Sequence, residues 1–306
     1  MPPRRPHTLP PVPAEPPRRH LTPPGAVEYG SVAEFLASEI GSGHHEIHRG
    51  LPLDLLVADR GASTTVVAFH ASAPEHVTQL PMLSGQGLTE AAGVNLLAIA
   101  DPSLVMHPEL KLGWYLGNRP QGPFRALATP LIEHVLAQLG STRTVFFGAS
   151  GGGFAAGALS QDFPNSLALL CNPRLDLTQP PRAAIREYLV HCHSALSATP
   201  QRRIREEFVP DALDDDWDGA PANTIAIIQN RRDRVYHDRQ FLPFARRHAE
   251  HPAVFHLLRD DGEGHRHVPR AELERVLTAV AQAPTLQGAL RGLGFRTGSP
   301  AVSPQG

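Results

Sequence analysis

A serine stands between glycines in GASGGG, residues 148–153, after the apolar run TVFF and before the small-residue segment FAAGAL. Two chemistries use a strand, a glycine turn and a helix in this order. One cradles the pyrophosphate of a dinucleotide; the other presents a serine nucleophile. Gly151, Gly153 and Ala156 satisfy the dinucleotide spacing. That use also wants a carboxylate about 20 residues on, at the tip of the next strand, to hold the ribose. The tip reads Cys171-Asn172-Pro173-Arg174 and carries none. No Gly-Lys-Ser/Thr occurs, which excludes a Walker-type phosphate loop. Gly148 and Gly152 flank Ser150 at two residues on either side, the G-x-S-x-G spacing. Such glycines permit a sharp strand-to-helix turn that lifts the serine oxygen above the sheet edge. The helix N-terminus behind it favours developing negative charge.

A serine nucleophile needs a base, and the base needs an orienting acid. On a sheet of this kind they follow in the order serine, acid, histidine, each just past the end of a strand. TIAIIQNRRDRVYH places Asp233 three residues beyond an apolar run, and AVFHLLRDDGEGHRH places His265 beyond the next. His267 is a second candidate for the base; the glycine before His265 gives that position more freedom to aim its ring. A working set would bring Ser150 Oγ within roughly 3.5 Å of a histidine nitrogen whose other nitrogen meets Asp233. The oxyanion would be held by the amide of Gly151 and by an amide just past an earlier strand, at His70-Ala71-Ser72, with Ala71 or Ser72 as donor. His70 itself reads as a holder of that loop.

Other residues are candidates for the surrounding pocket. Asp101 follows a strand and either lines the site or caps a turn. Trp114 and Tyr115 in LGWYLG could wall an acyl or sugar pocket or belong to the core. Substrate contacts are therefore expected from His70, Ser72, Asp101 and Trp114. His237, four residues after Asp233, reads as a surface residue. His44, His45 and His48 lie in the turn-like GSGHHEIH, and His265-x-His267 neighbours Asp260, Asp261 and Glu263. Neither set offers an evident three-ligand convergence, and His191 and His193 on one helix point apart. No metal and no cofactor is expected.

The elements that must position these residues alternate. Apolar β-branched runs at Thr64–His70, Gly93–Ala100, Arg143–Gly148, Ser166–Cys171, Thr224–Asn230 and Ala253–Leu258 read as buried strands. Helical patterns at about 124–138, 152–161, 238–250 and 270–282 lie between or after them. This is the pattern of a mostly parallel, doubly wound sheet covered on both faces. Residues from about 173 to 223 are too many for a bare connection and include the helical AAIREYLVHCHSAL and the acidic Asp214–Asp216 with Asp218. A cap over a cleft would explain them. Residues 1–25, dense in Pro and Arg, read as a disordered tail; 26–290 as the domain; and 291–306 as a flexible C-terminal tail.

The composition narrows the classes. The chain has 306 residues and a formal net charge of −2, with no compact basic stripe to attract nucleic acid. Two cysteines do not make a disulfide framework. No apolar run reaches the ~18 residues of a membrane span, and the N-terminus lacks the apolar core of a signal peptide. A cytoplasmic protein is expected.

The ordered set of FHAS at a strand end, GASGGG, Asp233 and GEGH resembles the α/β-hydrolase superfamily over roughly residues 50–285. ADPSL, LGWYLG, SLALLCNP and QNRRDRVYH are similar to actinobacterial members of that superfamily. Ala71 departs from the usual His-Gly at the oxyanion position. The resemblance implies an α/β-hydrolase fold and a serine hydrolase acting on an ester or other acyl substrate through Ser150, His265 and Asp233. The alternatives are acyl transfer to a sugar or glycan hydroxyl, or a non-catalytic binding or assembly protein on the same fold.

Overall fold

A computed structural model describes residues 19–195, 197–215, 217 and 219–300. Thirteen strands are present in this part: β1 Arg19–His20, β2 Val27–Tyr29, β3 Gly43–Arg49, β4 Leu51–Ala58, β5 Thr64–Phe69, β6 Gln79–Leu80, β7 Asn95–Ile99, β8 Gly117–Asn118, β9 Gly122–Pro123, β10 Arg143–Ala149, β11 Leu167–Cys171, β12 Thr224–Asn230 and β13 Val254–Arg259. Nine form the central sheet in the order β13-β12-β11-β10-β5-β7-β4-β3-β2. Its core is parallel; β4 alone runs against both of its neighbours. Every residue of β5, β7, β11 and β12 is buried. That is why these strands are continuous apolar runs rather than alternating ones.

Two apolar layers sandwich the sheet. On one face lie α3 (Phe124–Gln138) and α4 (Gly151–Leu159), which contribute Leu131, Val135 and Phe154, with α1 (Val32–Leu36) at the edge. On the other lie α2 (Gln86–Ala92), α9 (Arg270–Gln282) and α10 (Leu286–Gly292), which contribute Leu88, Val276 and Leu290. After β10 the chain steps outward through β11, β12 and β13, whereas β5 leads to β7 on the other side. The strand order therefore reverses between β5 and β10, where open α/β sheets leave a crevice at the carboxyl ends of their strands. Among the described residues, no helix is long and apolar enough to cross a membrane.

Between β11 and β12 the chain forms α5 (Ala183–His193) and α6 (Ala198–Phe208), which pack on each other. Tyr188 Oη of α5 donates to Gly117 O at 2.9 Å, and the Arg119 amide donates to Cys192 O at 3.1 Å, so this insert is anchored on the β8–β9 turn. Asp214 takes both Arg247 and His248 as partners; Asp216 and Asp218 lie outside the described residues.

Several expectations need correction. GSGHHEIH is not a turn but most of β3, paired antiparallel with β4. Its buried residues are His45, Glu46 and Ile47, with Ile47 the one aliphatic side chain, so an apolar count misses it. The helix expected over 238–250 is broken into α7 (Arg234–Tyr236), a π-helical turn His237–Phe241 and α8 (Leu242–Arg247). Pro243 lacks an N–H and starts a new helix instead of continuing one. Of the N-terminal tail drawn to residue 25, residues 1–18 lie outside the described residues, but β1 pairs with β6. Of the C-terminal tail drawn from 291, Phe295 is buried and Arg296 pairs with His256, because the aromatic ring closes the second apolar layer.

Candidate active site

Ser150 follows β10 with φ 51° and ψ −115°, a backbone conformation that a side-chain-bearing residue rarely adopts. Its amide donates to Cys171 O and its carbonyl accepts from the Arg174 amide, both at 2.9 Å, so the strained residue is fastened to the end of β11. The glycines around it are sterically required. A Cβ on Gly148 would come 2.1 Å from Gly152 O, and one on Gly152 would come 2.5 Å from His70 O. The close approach of Gly152 packs the first turn of α4 against the end of β5, where Ala71 follows. The chain thus brings the Gly151 and Ala71 backbones to the crevice between β5 and β10.

Asp233 lies just past β12 and is buried. Its Oδ1 accepts from the Tyr236 amide, capping α7, and its Oδ2 lies 2.5 Å from His265 Nδ1. One carboxylate oxygen therefore holds the acid in place while the other holds the ring. Of the two histidine candidates, His265 is the one that meets Asp233. Its side chain remains 39% exposed, open enough for a substrate to reach.

The loop that carries His265 is tied down by two buried asparagines that the sequence reading did not single out. Asn230, the last residue of β12, donates through Nδ2 to Gly262 O (2.8 Å) and Gly264 O (3.0 Å). Its Oδ1 accepts from the amides of Arg232 and Asp261. Asn172 accepts from the Asn230 amide at 2.6 Å and donates to Arg266 O at 2.8 Å. All four hydrogen-bonding positions of Asn230 thus serve the loops around Asp233 and His265. In the sequence the only signal is the polar pair Gln229-Asn230 at the end of a largely apolar strand.

The other half of the expected geometry is different. Ser150 Oγ pairs with Tyr236 Oη at 3.2 Å and with no histidine among the described residues. The Tyr236 ring packs on the His265 ring, 4.1 Å between centroids at 30°. Tyr236 thus touches both the serine and the imidazole. Beside it lies Arg174, 1% exposed, with its guanidinium 5.8 Å from the Trp114 ring centroid. Arg174 Nε and Nη2 donate to the carbonyls of Asp176, Gln179 and Pro181, and its Nη1 has no hydrogen-bond partner. Burial pushes the guanidinium below the ordinary arginine range, and the nearby Tyr236 hydroxyl offsets this in part. Neither Tyr236 nor Arg174 was singled out from the sequence.

The remaining candidates sit in the scaffold. His70 is buried; its Nδ1 donates to Ala71 O at 2.7 Å, which fixes the tautomer, and its Nε2 accepts from the Asp101 amide at 3.2 Å. Asp101 caps the 3₁₀ turn Pro102–Met106 and accepts from the amides of Ser103, Gly113 and Tyr115. Trp114 and Tyr115, with φ of 61° and 54°, are held by these bonds in left-handed backbone. Tyr115 Oη accepts from the His70 amide and donates to Ile99 O, both at 2.9 Å. Trp114 lines a cavity of about 300 Å³ with Phe154 of α4 and with Glu206 and Val209 of the insert. Ser72 is exposed.

No family model matches this sequence, and no curated protein matches it. The fold is similar to solved structures. The capsule O-acetyltransferase of Neisseria meningitidis serogroup A superposes with a TM-score of 0.55 at 17% identity, over 76% of this chain and 95% of that one. A histidine-to-alanine variant of the same enzyme, solved in complex with CoA, gives 0.54. An esterase of Pyrococcus furiosus covers 91% of this chain and 99% of its own at 14% identity, with a TM-score of 0.45. At these identities the likeness is one of fold: a mostly parallel α/β sheet covered by helices.

Proposed function

We propose that the chain is an acyl-handling serine enzyme with Ser150 as nucleophile, His265 as base and Asp233 as orienting acid. The observation that carries this reading is the 2.5 Å His265–Asp233 pair at the rim where Ser150 stands in strained backbone. In the reaction, Ser150 Oγ attacks the acyl carbonyl while His265 Nε2 takes its proton. Asp233 keeps the proton of His265 on Nδ1 and stabilises the imidazolium. The amides of Gly151 and Ala71 would hold the oxyanion, with the N-terminus of α4 behind it. The leaving group departs with the proton from His265, and water or an acceptor hydroxyl then releases the acyl group. For this the Ser150 hydroxyl must leave Tyr236 for His265; catalytic hydrogen bonds are often completed only when substrate binds. The insert between β11 and β12 would act as a cap that shapes the pocket.

Labelling with a fluorophosphonate probe tests the assignment. Wild type should react and Ser150→Ala should not. Equal labelling of both removes Ser150 as nucleophile; absence of labelling and of ester hydrolysis in wild type favours a non-catalytic binding protein. Transfer is the second reading, supported by the likeness to an O-acetyltransferase solved with CoA. Acetyl-CoA consumption that rises on adding a glycan acceptor would favour transfer over hydrolysis.

A further inference from the structure

Far from Ser150, at the β2 edge of the sheet, three carboxylates stand in register on adjacent strands. Glu28 of β2 pairs with Glu46 of β3, and Glu46 pairs with Asp54 of β4. Registered partners project from the same face, and like charges placed opposite one another repel. Two of the three are also out of water: Glu46 is 2% and Asp54 4% exposed. Among the described residues their ion-pair partners are histidines alone. His20 Nε2 lies 2.9 Å from Asp54 Oδ2, and His48 Nε2 lies 3.2 Å from Glu46 Oε1 and 3.5 Å from Glu28 Oε2. Glu46 Oε2 is buried with no hydrogen-bond partner, as is His44 Nδ1 two residues earlier on the same strand face. A buried carboxylate oxygen without a donor is costly unless a cation meets it.

We infer that His20, Glu46 and Asp54 bind one divalent transition-metal ion of the zinc type. One donor atom from each of the three lies within 4.8 Å of the other two, so the side chains would draw together to the ~3.3 Å between N/O ligands of a tetrahedral ion. One imidazole nitrogen and two carboxylate oxygens suit zinc better than calcium or magnesium, which prefer oxygen throughout. Glu28, Glu46 and His48 form an adjoining donor set that shares Glu46, but its outer members are exposed, at 60% for Glu28 and 45% for His48. The ion would neutralise the Glu46–Asp54 repulsion. It would also tether β1, which carries His20 and pairs with β6, to the sheet. The inference departs from the sequence-based expectation of no metal, because His20 and Asp54 are 34 residues apart and only the fold joins them. It does not rest on the acyl chemistry.

The test is calorimetric titration of chelator-treated full-length protein with Zn²⁺, alongside thermal melts. Wild type should bind one ion with micromolar or tighter affinity and melt higher with Zn²⁺ than with Ca²⁺. Glu46→Gln keeps the shape and removes a ligand; loss of a ligand should cost at least as much as loss of an outer-shell partner, roughly tenfold in affinity. His107, Glu109 and His191 form a separate, more exposed donor cluster, so His107→Ala is the control and should leave the titration unchanged. Should Glu46→Gln fail to fold, Asp54→Asn carries the same expectation. Equal binding by wild type and Glu46→Gln, loss of binding in His107→Ala, or no binding by wild type would each overturn the inference.

Discussion

Tyr236 decides what the resting site looks like. Its hydroxyl pairs with that of Ser150, which in the proposed reaction would have to turn to His265 before attack, and its ring packs on one face of the imidazole. A hydrogen bond of this kind is worth about 1 kcal/mol net. If it only parks the serine, Tyr236→Phe frees Ser150 and changes kcat/KM by no more than about fivefold, in either direction. A loss of a hundredfold or more in steady-state ester hydrolysis would instead make Tyr236 a donor to the transition state. The glycines beside Ser150 have less latitude. The Cβ added by Gly152→Ala would meet the carbonyl oxygens of His70 and Phe69 at 2.5 and 2.6 Å, and these backbone atoms belong to the strand end that carries Ala71. We expect a loss of about 3 kcal/mol in denaturant unfolding together with loss of the oxyanion geometry. A variant of full stability would show that β5 and α4 can separate without penalty.

At the scale of elements, the proposed base is positioned by a strand end rather than by its own loop. Asn230 closes β12 and satisfies four backbone groups of the 230–264 region, two of them the glycine carbonyls around Glu263. Asn230→Ala removes four part-buried hydrogen bonds, each worth about 1 kcal/mol net. If the proposed reaction holds, it should lower kcat by at least about tenfold, with KM little changed, since the cavity lined by Trp114 is untouched. A variant that melts lower but keeps wild-type kcat would reduce Asn230 to a stabilising residue. This arrangement also marks what the sequence could disclose. Six strands were readable as apolar runs, and four of them, β5, β7, β11 and β12, are buried at every residue. The spacing of glycines around Ser150, and the placing of Asp233 and His265 past successive strands, was readable because strand ends are sequence-local. The β3–β4 hairpin was not: β3 carries Ile47 as its one aliphatic residue, and the apolar run of β4 is interrupted by Pro52 and Asp54. Asn172, Arg174 and Tyr236 were not readable either: their roles depend on loops from separate strands meeting over Ser150.

Over the whole molecule, acid should act first through buried neutral histidines. His45, His193 and His256 are 3%, 8% and 7% exposed, and burial is the leading cause that lowers each below the ordinary histidine value. His193, whose Nε2 meets Tyr188 Oη in the insert, is pushed down to about 4. A group lowered in this way is neutral in both states above pH ~6.5, so it adds no pH dependence there. As pH falls from 6.5 towards 4 the unfolded chain takes up the proton first, and the folded state loses stability. From His193 alone the loss at pH 5 is about 2 kcal/mol, or roughly 3 °C in melting temperature for a chain of this size. His20, raised by its bond to Asp54, contributes stability that is complete below pH 6.5 and fades above it, so it does not oppose the trend in this window. Asp54 does oppose it, because burial and Glu46 hold its carboxyl above the usual range. The decisive quantity is therefore a difference in which Asp54 cancels: the melting temperatures of wild type and His193→Gln, followed by calorimetry from pH 7 to pH 4.5. Glutamine can keep a hydrogen bond to Tyr188 but cannot titrate, so the variant should lose less stability than wild type over that range. Parallel curves would mean that His193 takes up its proton without disturbing the insert, and that the anchoring of α5 on the β8–β9 turn does not depend on a neutral ring.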